Sequence, residues 1–130
     1  MCRHIGYIGK KKNINDVLIK KEHSLMDMSY KPKEMENAIL NADGFGIGWY
    51  AKKKLFVYKN YLPIWNDYNL SSITENIESK LIIGNVRSAT LNENTSYQNT
   101  HPFKFKNFIF SHNGYIENFQ NSVKLKIIKL

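Results

Sequence analysis

Glycine alternates with apolar residues between Asp43 and Tyr50, and no other feature constrains the fold of this chain as strongly. Successive residues of a β-strand point to opposite faces, so these glycines leave one face of the strand without side chains. Another backbone or a ligand can then approach that face closely. The spacing does not indicate a dinucleotide-binding loop, because Trp49-Tyr50 continue the strand where that motif would open a helix.

Short strands and helices in mixed order are predicted around this segment. Strands are predicted for residues 1–9, 43–50, 55–58, 81–86 and 107–111, and helices for residues 13–21 and 69–80. The strands at 43–50 and 55–58 lie close enough in sequence to form a hairpin. The first strand is expected to stop at Lys10-Lys11-Lys12. This order favours an α+β layered domain with a largely antiparallel sheet.

Two helical regions carry more specific expectations. In the helix at 69–80, Ser71 or Ser72 is expected at the N-cap, with Glu75 as the capping-box partner of Ser72. The segment 22–40 is less regular, and Pro32 interrupts any long helix there. This segment is therefore expected to pack as a covering loop.

The length and the cysteine count limit the class of protein. With 130 residues and 42% apolar residues, the chain has the size and apolar content of one globular domain, assigned to residues 1–130. No run approaches the roughly 20 apolar residues of a membrane span, and the amino terminus lacks the apolar core of a signal peptide. Cys2 is the only cysteine, which fits a reducing compartment. A cytoplasmic location without a membrane partner is expected.

The net charge of +8 raises nucleic acid as a partner. Of the 19 basic residues, however, only Arg3 and Arg87 are arginine. Proteins that read nucleic acid usually concentrate arginine, whose planar fork grips phosphate and guanine in a bidentate way. The composition therefore argues against nucleic-acid binding.

Cys2 directly follows the initiator methionine, and its small side chain permits removal of Met1. The product carries a thiol and a free α-amine on the same residue. Because the pKa of an α-amine is ~7.7–8.0, part of it is unprotonated at neutral pH and can take the proton of the thiol. The alternative is a small apolar residue at the start of a strand.

The segment His112-Asn113-Gly114 follows an apolar run and predicts a tight turn, since Asn and Gly both tolerate positive φ. At such a turn the Asn113 side-chain amide and the Gly114 backbone N–H can together bind the oxyanion of a tetrahedral intermediate. A turn without this function explains the same pattern, so both interpretations stay open.

Arg87 ends an apolar strand in a chain that is poor in arginine. Its guanidinium can clamp a carboxylate with two parallel hydrogen bonds, which a lysine cannot do. An ordinary ion pair at the end of the strand is the alternative.

Metal binding is poorly supported by the sequence. The four histidines show no i, i+4 pairing, and no second cysteine completes a zinc cluster. Neither a metal nor a cofactor is expected. A protease-like dyad of Cys2 with His101 or His112 stays open, because spatial adjacency cannot be read from sequence.

Five motifs occur in an order that resembles the class II glutamine amidotransferases. They are residues 1–7, 41–50, 86–90, 99–103 and 112–114. Within that family the chain is similar to the stand-alone branch that includes the ergothioneine-pathway γ-glutamyl amidohydrolase. The similarity runs from Met1 to about Phe119.

The resemblance implies the fold of the N-terminal-nucleophile hydrolases, a four-layer αββα sandwich of two antiparallel sheets. By the same resemblance, Cys2 matches the amino-terminal nucleophile, and Asn113 with Gly114 match the oxyanion hole. The implied reaction is thiolate attack on the γ-carbonyl of glutamine or of a γ-glutamyl compound. A thioester forms, ammonia or an amine leaves, and water releases glutamate.

The resemblance also implies residues that hold the substrate. Arg87 matches the arginine that binds the α-carboxylate, Thr90 matches a neighbouring substrate contact, and His101 lies in the loop that borders the pocket. Family members carry in addition a Gly-x-Thr-Asp-type segment whose acidic residue binds the α-amino group. No such segment occurs in this chain.

The chain is therefore expected to hold the amino-terminal part of the sandwich, as a truncated product, a fragment or half of a split protein. Because no synthase domain is present, hydrolysis is preferred over ammonia transfer unless a separate synthase subunit binds. The alternatives are a Cys-His hydrolase and an inactive or partial domain that serves as a binding subunit or is a remnant.

Overall fold

The computed structural model describes residues 2–30, 40–89 and 95–129. Within them the strands are β1 (Arg3–Asn13), β2 (Phe45–Ala51), β3 (Lys54–Asn60), β4 (Glu78–Val86), β5 (Phe103–Phe105) and β6 (Phe108–Phe110). The α-helices are α1 (Leu25–Tyr30), α2 (Leu70–Thr74) and α3 (Val123–Ile128). A π-helical segment spans Asp16–Lys20, and 3-10 turns span Ile64–Asn66 and Phe119–Asn121. No helix in these three ranges is long and apolar enough to cross a membrane.

The strands form two antiparallel sheets. The larger sheet has the order β1-β4-β2-β3, and β5 pairs with β6 in a smaller sheet. In the larger sheet His4 lies opposite Asn85, Asn85 opposite Gly46, and Gly46 opposite Lys59. Residues directly opposite each other share a face, so these four positions form one row across the sheet.

The other face of the larger sheet carries the hydrophobic core. Its buried members come from strands and helical segments alike: Ile14, Val17, Leu18, Leu25, Phe45, Ile47, Trp49, Ile64, Leu70, Ile82 and Val86. A Cβ placed on Gly84 would lie 2.9 Å from a side-chain carbon of Leu25. Helices α1 and α2 and the π-helical segment thus pack on the sheet. Removal of this apolar surface from water is the main term that stabilises the fold.

The hairpin of β5 and β6 covers part of the face on which the glycines of β2 lie. A Cβ on Gly48 would overlap the side chain of Ile109, and a Cβ on Gly46 would overlap the carbonyl oxygen of His101. The close backbone approach predicted from the glycine alternation is therefore confirmed. Core helical segments lie on one face of the four-stranded sheet and the two-stranded sheet lies on the other, which confirms the α+β antiparallel class.

The prediction that β1 stops at Lys10 is wrong. The strand continues to Asn13, which pairs with Glu78 of β4, while Lys12 pairs with Ser79. The register shifts between Ile8 and Lys12. Lys12 extends the strand because its backbone pairs with β4, while Lys10 and Lys11 lie in the register shift with their side chains exposed.

The helix predicted for residues 69–80 is shorter than expected. It ends at Thr74, and residues 78–80 belong to β4. Pairing of Glu78 with Asn13 holds that segment extended, so strand pairing outweighs the helical periodicity. The predicted capping box is also wrong, because the Ser72 hydroxyl donates to the carbonyl of Asn69 at 2.8 Å.

The helices α1 and α3 and the strand β5 were not predicted. Helix α1 forms in the segment expected to be irregular, where the Ser24 hydroxyl accepts the backbone N–H of Asp27 at 3.2 Å and Leu25 is fully buried. Pro32 lies outside the described residues. Elements this short depend on pairing and packing more than on local propensity.

Candidate active site

Cys2 lies at the start of β1, beside the segment that follows β4. The pairing of Arg3 with Val86 brings it there. Its sulfur accepts the backbone N–H of Ser88 at 3.4 Å, and the thiol lies 3.7 Å from the Ser88 carbonyl oxygen. The backbone of Ser88 therefore both donates to and accepts from the Cys2 side chain.

Asn113 reaches Cys2 from 111 positions along the chain. Its side-chain amide donates to the Cys2 carbonyl oxygen at 3.2 Å, and Arg3 Nη1 donates to the same oxygen at 3.3 Å. A Cβ on the adjacent Gly114 would lie only 2.7 Å from Nε2 of His112, so glycine avoids a steric clash at this position. Of the predicted oxyanion pair, Asn113 therefore contacts the residue predicted as the nucleophile.

Arg87 is 4% exposed and is held by the segment that precedes β2. Its backbone N–H donates to the carbonyl of Gly44 at 2.8 Å, and its carbonyl accepts the N–H of Asp43 at 3.1 Å. The Asp43 carboxylate then accepts the N–H of Ala89 at 2.7 Å. The motif at residues 41–50 thus does more than form a strand, because it fixes the backbone on both sides of Arg87.

His101 lies within a group of basic side chains. Burial and then the charges of four neighbours lower the pKa of His101 to about 4; the neighbours are His4, His112, Arg87 and Lys59. Its ring centroid is 6.4 Å from that of His4. The Nδ1 atom of His101 is buried and has no hydrogen-bond partner within the described ranges. A neutral imidazole with an unused polar atom, close to a guanidinium, is suited to contact an anionic ligand.

His4 and Asn85 were not selected as site residues from the sequence. The Asn85 amide nitrogen donates to the Arg3 carbonyl at 3.1 Å and lies 3.0 Å from Nε2 of His4. Because the same nitrogen faces a carbonyl, it is a donor, and His4 Nε2 must accept and carry no proton. Burial and then the charge of His112 lower the pKa of His4, which agrees with a neutral ring. The signal in the sequence was the i, i+2 spacing of Cys2 and His4 on one strand.

The remaining predictions have different outcomes. Thr90 lies outside the described residues. The hydrogen bonds of the Cys2 sulfur join it to Ser88, and none joins it to His101 or His112 in the part of the chain that the structure describes. No group of three or more His, Cys, Asp or Glu side chains suited to a metal ion occurs in that part.

Comparison with known proteins gives a family match over most of the chain. The family described as class-II glutamine amidotransferases matches residues 22–127. The gamma-glutamyl-hercynylcysteine sulfoxide hydrolase of Mycobacterium tuberculosis is 28% identical over 117 residues, which cover 90% of this chain and 50% of that protein. A probable glutamine amidotransferase of Saccharomyces cerevisiae is 31% identical over 137 residues, which cover 98% of this chain and 38% of that protein.

A solved structure shares the fold. It is a glutamine aminotransferase class-II domain protein from Silicibacter pomeroyi, with a TM-score of 0.61 and 22% sequence identity. The match covers 96% of this chain and 42% of that one. The chain spans half the length, or less, of the curated relatives named above.

Proposed function

The chain belongs to the class-II glutamine amidotransferases, and from that membership we propose that it is an amidohydrolase acting on glutamine or a γ-glutamyl compound. The proposed nucleophile is the thiol of Cys2 after removal of Met1. One observation carries the proposal: residues from distant parts of the sequence meet at Cys2. The Asn113 side-chain amide donates to the Cys2 carbonyl oxygen. The Cys2 sulfur accepts the backbone N–H of Ser88, the residue after Arg87.

The proposed reaction begins with proton transfer from the Cys2 thiol to its own α-amine. The sulfur then bonds to the γ-carbonyl carbon, and the carbonyl oxygen becomes an oxyanion that Asn113 and Gly114 stabilise. Collapse of this intermediate breaks the C–N bond, and the leaving amine takes the proton from the α-amine. Water attacks the resulting thioester in the same way, and glutamate leaves with the thiol restored.

Substrate orientation is proposed to depend on residues around the basic group. The guanidinium of Arg87 would hold the α-carboxylate by two parallel hydrogen bonds, with His101 and Thr90 as further contacts. The buried position of Arg87 and the lowered pKa of His101 support a site that is electropositive and partly shielded from water. Such shielding strengthens the attraction for a carboxylate.

We propose hydrolysis as the outcome, with a γ-glutamyl amide as the substrate class. A relative named gamma-glutamyl-hercynylcysteine sulfoxide hydrolase supports this choice. A separate synthase subunit is the proposed partner if ammonia is transferred instead. A cytoplasmic location is proposed because a catalytic thiol needs a reducing compartment.

The test is covalent labelling of Cys2 by a glutamine analogue that carries an electrophile, followed by mass spectrometry. The protein should lack Met1 and gain one label, and excess glutamine should prevent the labelling. The Cys2→Ala variant should take no label and lose at least ~10³-fold in hydrolysis of γ-glutamyl-p-nitroanilide.

Two results would contradict the proposal. Full activity in protein that retains Met1 would exclude the amine as the base and favour a Cys-His hydrolase. Absence of labelling in folded protein would favour a binding subunit or a remnant.

A further inference from the structure

Lys59 holds the loop that precedes His101. Its ammonium nitrogen donates to the carbonyl oxygens of Tyr97 at 3.0 Å and of Thr100 at 2.9 Å. Both acceptors are backbone groups, so the contacts fix the path of the chain and not only the orientation of a side chain. The residue after Thr100 is His101 itself.

The surroundings of Lys59 favour this single arrangement. The ammonium lies 4.4 Å from the ring centroid of Tyr97 and 5.6 Å from that of Phe103, within the range of cation–π attraction. Two carbonyls and two ring faces therefore surround one charge. Burial lowers the pKa of Lys59, which agrees with its partly enclosed position.

The loop is also held together by hydrogen bonds between its own residues. The Thr100 N–H donates to the Tyr97 carbonyl at 3.3 Å, and the Thr100 hydroxyl donates to the Ser96 carbonyl at 2.8 Å. Thr100 is fully buried. The position of the loop on the sheet depends on contacts between the two, and Lys59 supplies two of these contacts.

The sheet explains why a lysine in β3 can reach this loop. Lys59 lies opposite Gly46, and a Cβ on Gly46 would be 2.9 Å from Cγ of Lys59 and would overlap the His101 carbonyl oxygen. The absent side chain thus leaves room for the lysine stem and the loop together. His4 and Asn85 continue the same row towards Cys2.

We propose that Lys59 is a positioning residue of the site, which fixes residues 96–101 on the sheet so that His101 faces the basic group around Arg87. The proposal rests on the proposed function. Lys59 would not touch the substrate, and its effect would pass through His101.

Lys104 provides a matched control. It is also a lysine of this region that donates to a backbone carbonyl, that of Leu55, at 2.8 Å. Its bond joins β5 to β3 and does not involve the loop before His101. If the loss of any lysine hydrogen bond impairs the enzyme, substitution of either lysine should impair hydrolysis. If Lys59 positions the loop, only its substitution should do so.

The first measurement is steady-state hydrolysis of γ-glutamyl-p-nitroanilide. For Lys59→Met we expect KM to rise roughly fivefold to tenfold with kcat within about twofold, since misplacement of a binding contact weakens substrate capture. Lys59→Arg should recover most of the loss because it keeps donors for both carbonyls. Lys104→Met should leave KM within about twofold of the parent value.

A double variant separates positioning from general stability. If Lys59 acts through His101, Lys59→Met should add little to the KM of His101→Ala. Full additivity, or an equal rise in KM for Lys104→Met, would overturn the proposal. If Lys59→Met does not fold, Lys59→Gln takes its place under the same criteria.

Hydrogen exchange tests the inference without turnover. The backbone amides of Asn99 and Thr100 donate within the loop, so their protection should fall in Lys59→Met and not in Lys104→Met. Unchanged protection would overturn the role of Lys59. If even the parent chain hydrolyses nothing, the proposed function fails, whereas the exchange result still decides whether Lys59 holds the loop.

Discussion

Gly46 shows how one residue sets the distance between the loop of His101 and the sheet. The carbonyl oxygen of His101 occupies the space that a side chain of Gly46 would fill. Gly6 lies in β1 on the same sheet, and a Cβ there would meet no atom within 4 Å. Both glycines thus lie in strands of the larger sheet, but only Gly46 is in close contact with other atoms.

We predict that Gly46→Ala destabilises the fold by about 1–3 kcal/mol, because the new methyl group meets backbone that cannot yield without moving the loop. Urea unfolding measures this change. Gly6→Ala should alter the unfolding free energy by less than about 0.5 kcal/mol. If the two substitutions changed the unfolding free energy equally, the close contact at Gly46 would not contribute to stability.

Among the elements, the connection between β3 and α2 depends on Asp67. Its carboxylate accepts the hydroxyl of Tyr58 at 2.7 Å, the amide of Asn60 at 2.8 Å and the backbone N–H of Asn69 at 3.0 Å. Burial, and then the hydrogen bond to Asp67, raises the pKa of Tyr58 to about 12. One carboxylate thus joins the end of a strand to the start of a helix.

Replacement of Asp67 by alanine should lower the unfolding free energy by about 2–4 kcal/mol, since three partly buried hydrogen bonds lose their carboxylate acceptor. Tyr58→Phe removes only one of these bonds and should cost about 1 kcal/mol. The double variant should be less destabilised than the sum of the two, as urea unfolding will report. Strict additivity would mean that the two side chains do not cooperate.

At the scale of the whole molecule, the fold gathers basic groups at one end of the larger sheet. His4, Arg87 and His101 come from three separate parts of the chain. Burial and then the charge of His112 lower the pKa of His4. Burial and then the charges of its basic neighbours lower the pKa of His101. The folded state therefore binds protons at these rings more weakly than the unfolded chain does.

This linkage predicts the pH dependence of stability. The pKa of His101 is about 4 in the folded state against 6.5 for an ordinary histidine, so its contribution is complete above pH 6.5 and is lost as the pH falls towards 4. Urea midpoints should fall over that window in the parent chain and fall less steeply in His101→Ala. Both chains contain the same carboxylates, so their contribution to the pH dependence cancels when the two sets of urea midpoints are subtracted. Parallel plots of midpoint against pH would contradict the lowered pKa of His101.

By itself the sequence determined the α+β class, the hairpin of β2 and β3, the bare face of β2 and the family. These depend on local periodicity, on turn chemistry and on the order of short motifs, all of which can be read without contacts between distant residues. It also identified Cys2, Arg87, His101, Asn113 and Gly114 as candidates, because their residue types and motif positions are local information.

The tertiary structure alone decided where β1 and α2 end, because the pairing of Asn13 with Glu78 joins residues that are distant in sequence. It also brought the Asn113 amide to Cys2 and placed the Lys59 ammonium in hydrogen-bond contact with the loop before His101. Periodicity contains no information on such contacts. They arise when the chain closes on itself, and their free energy then outweighs the local preference of each segment.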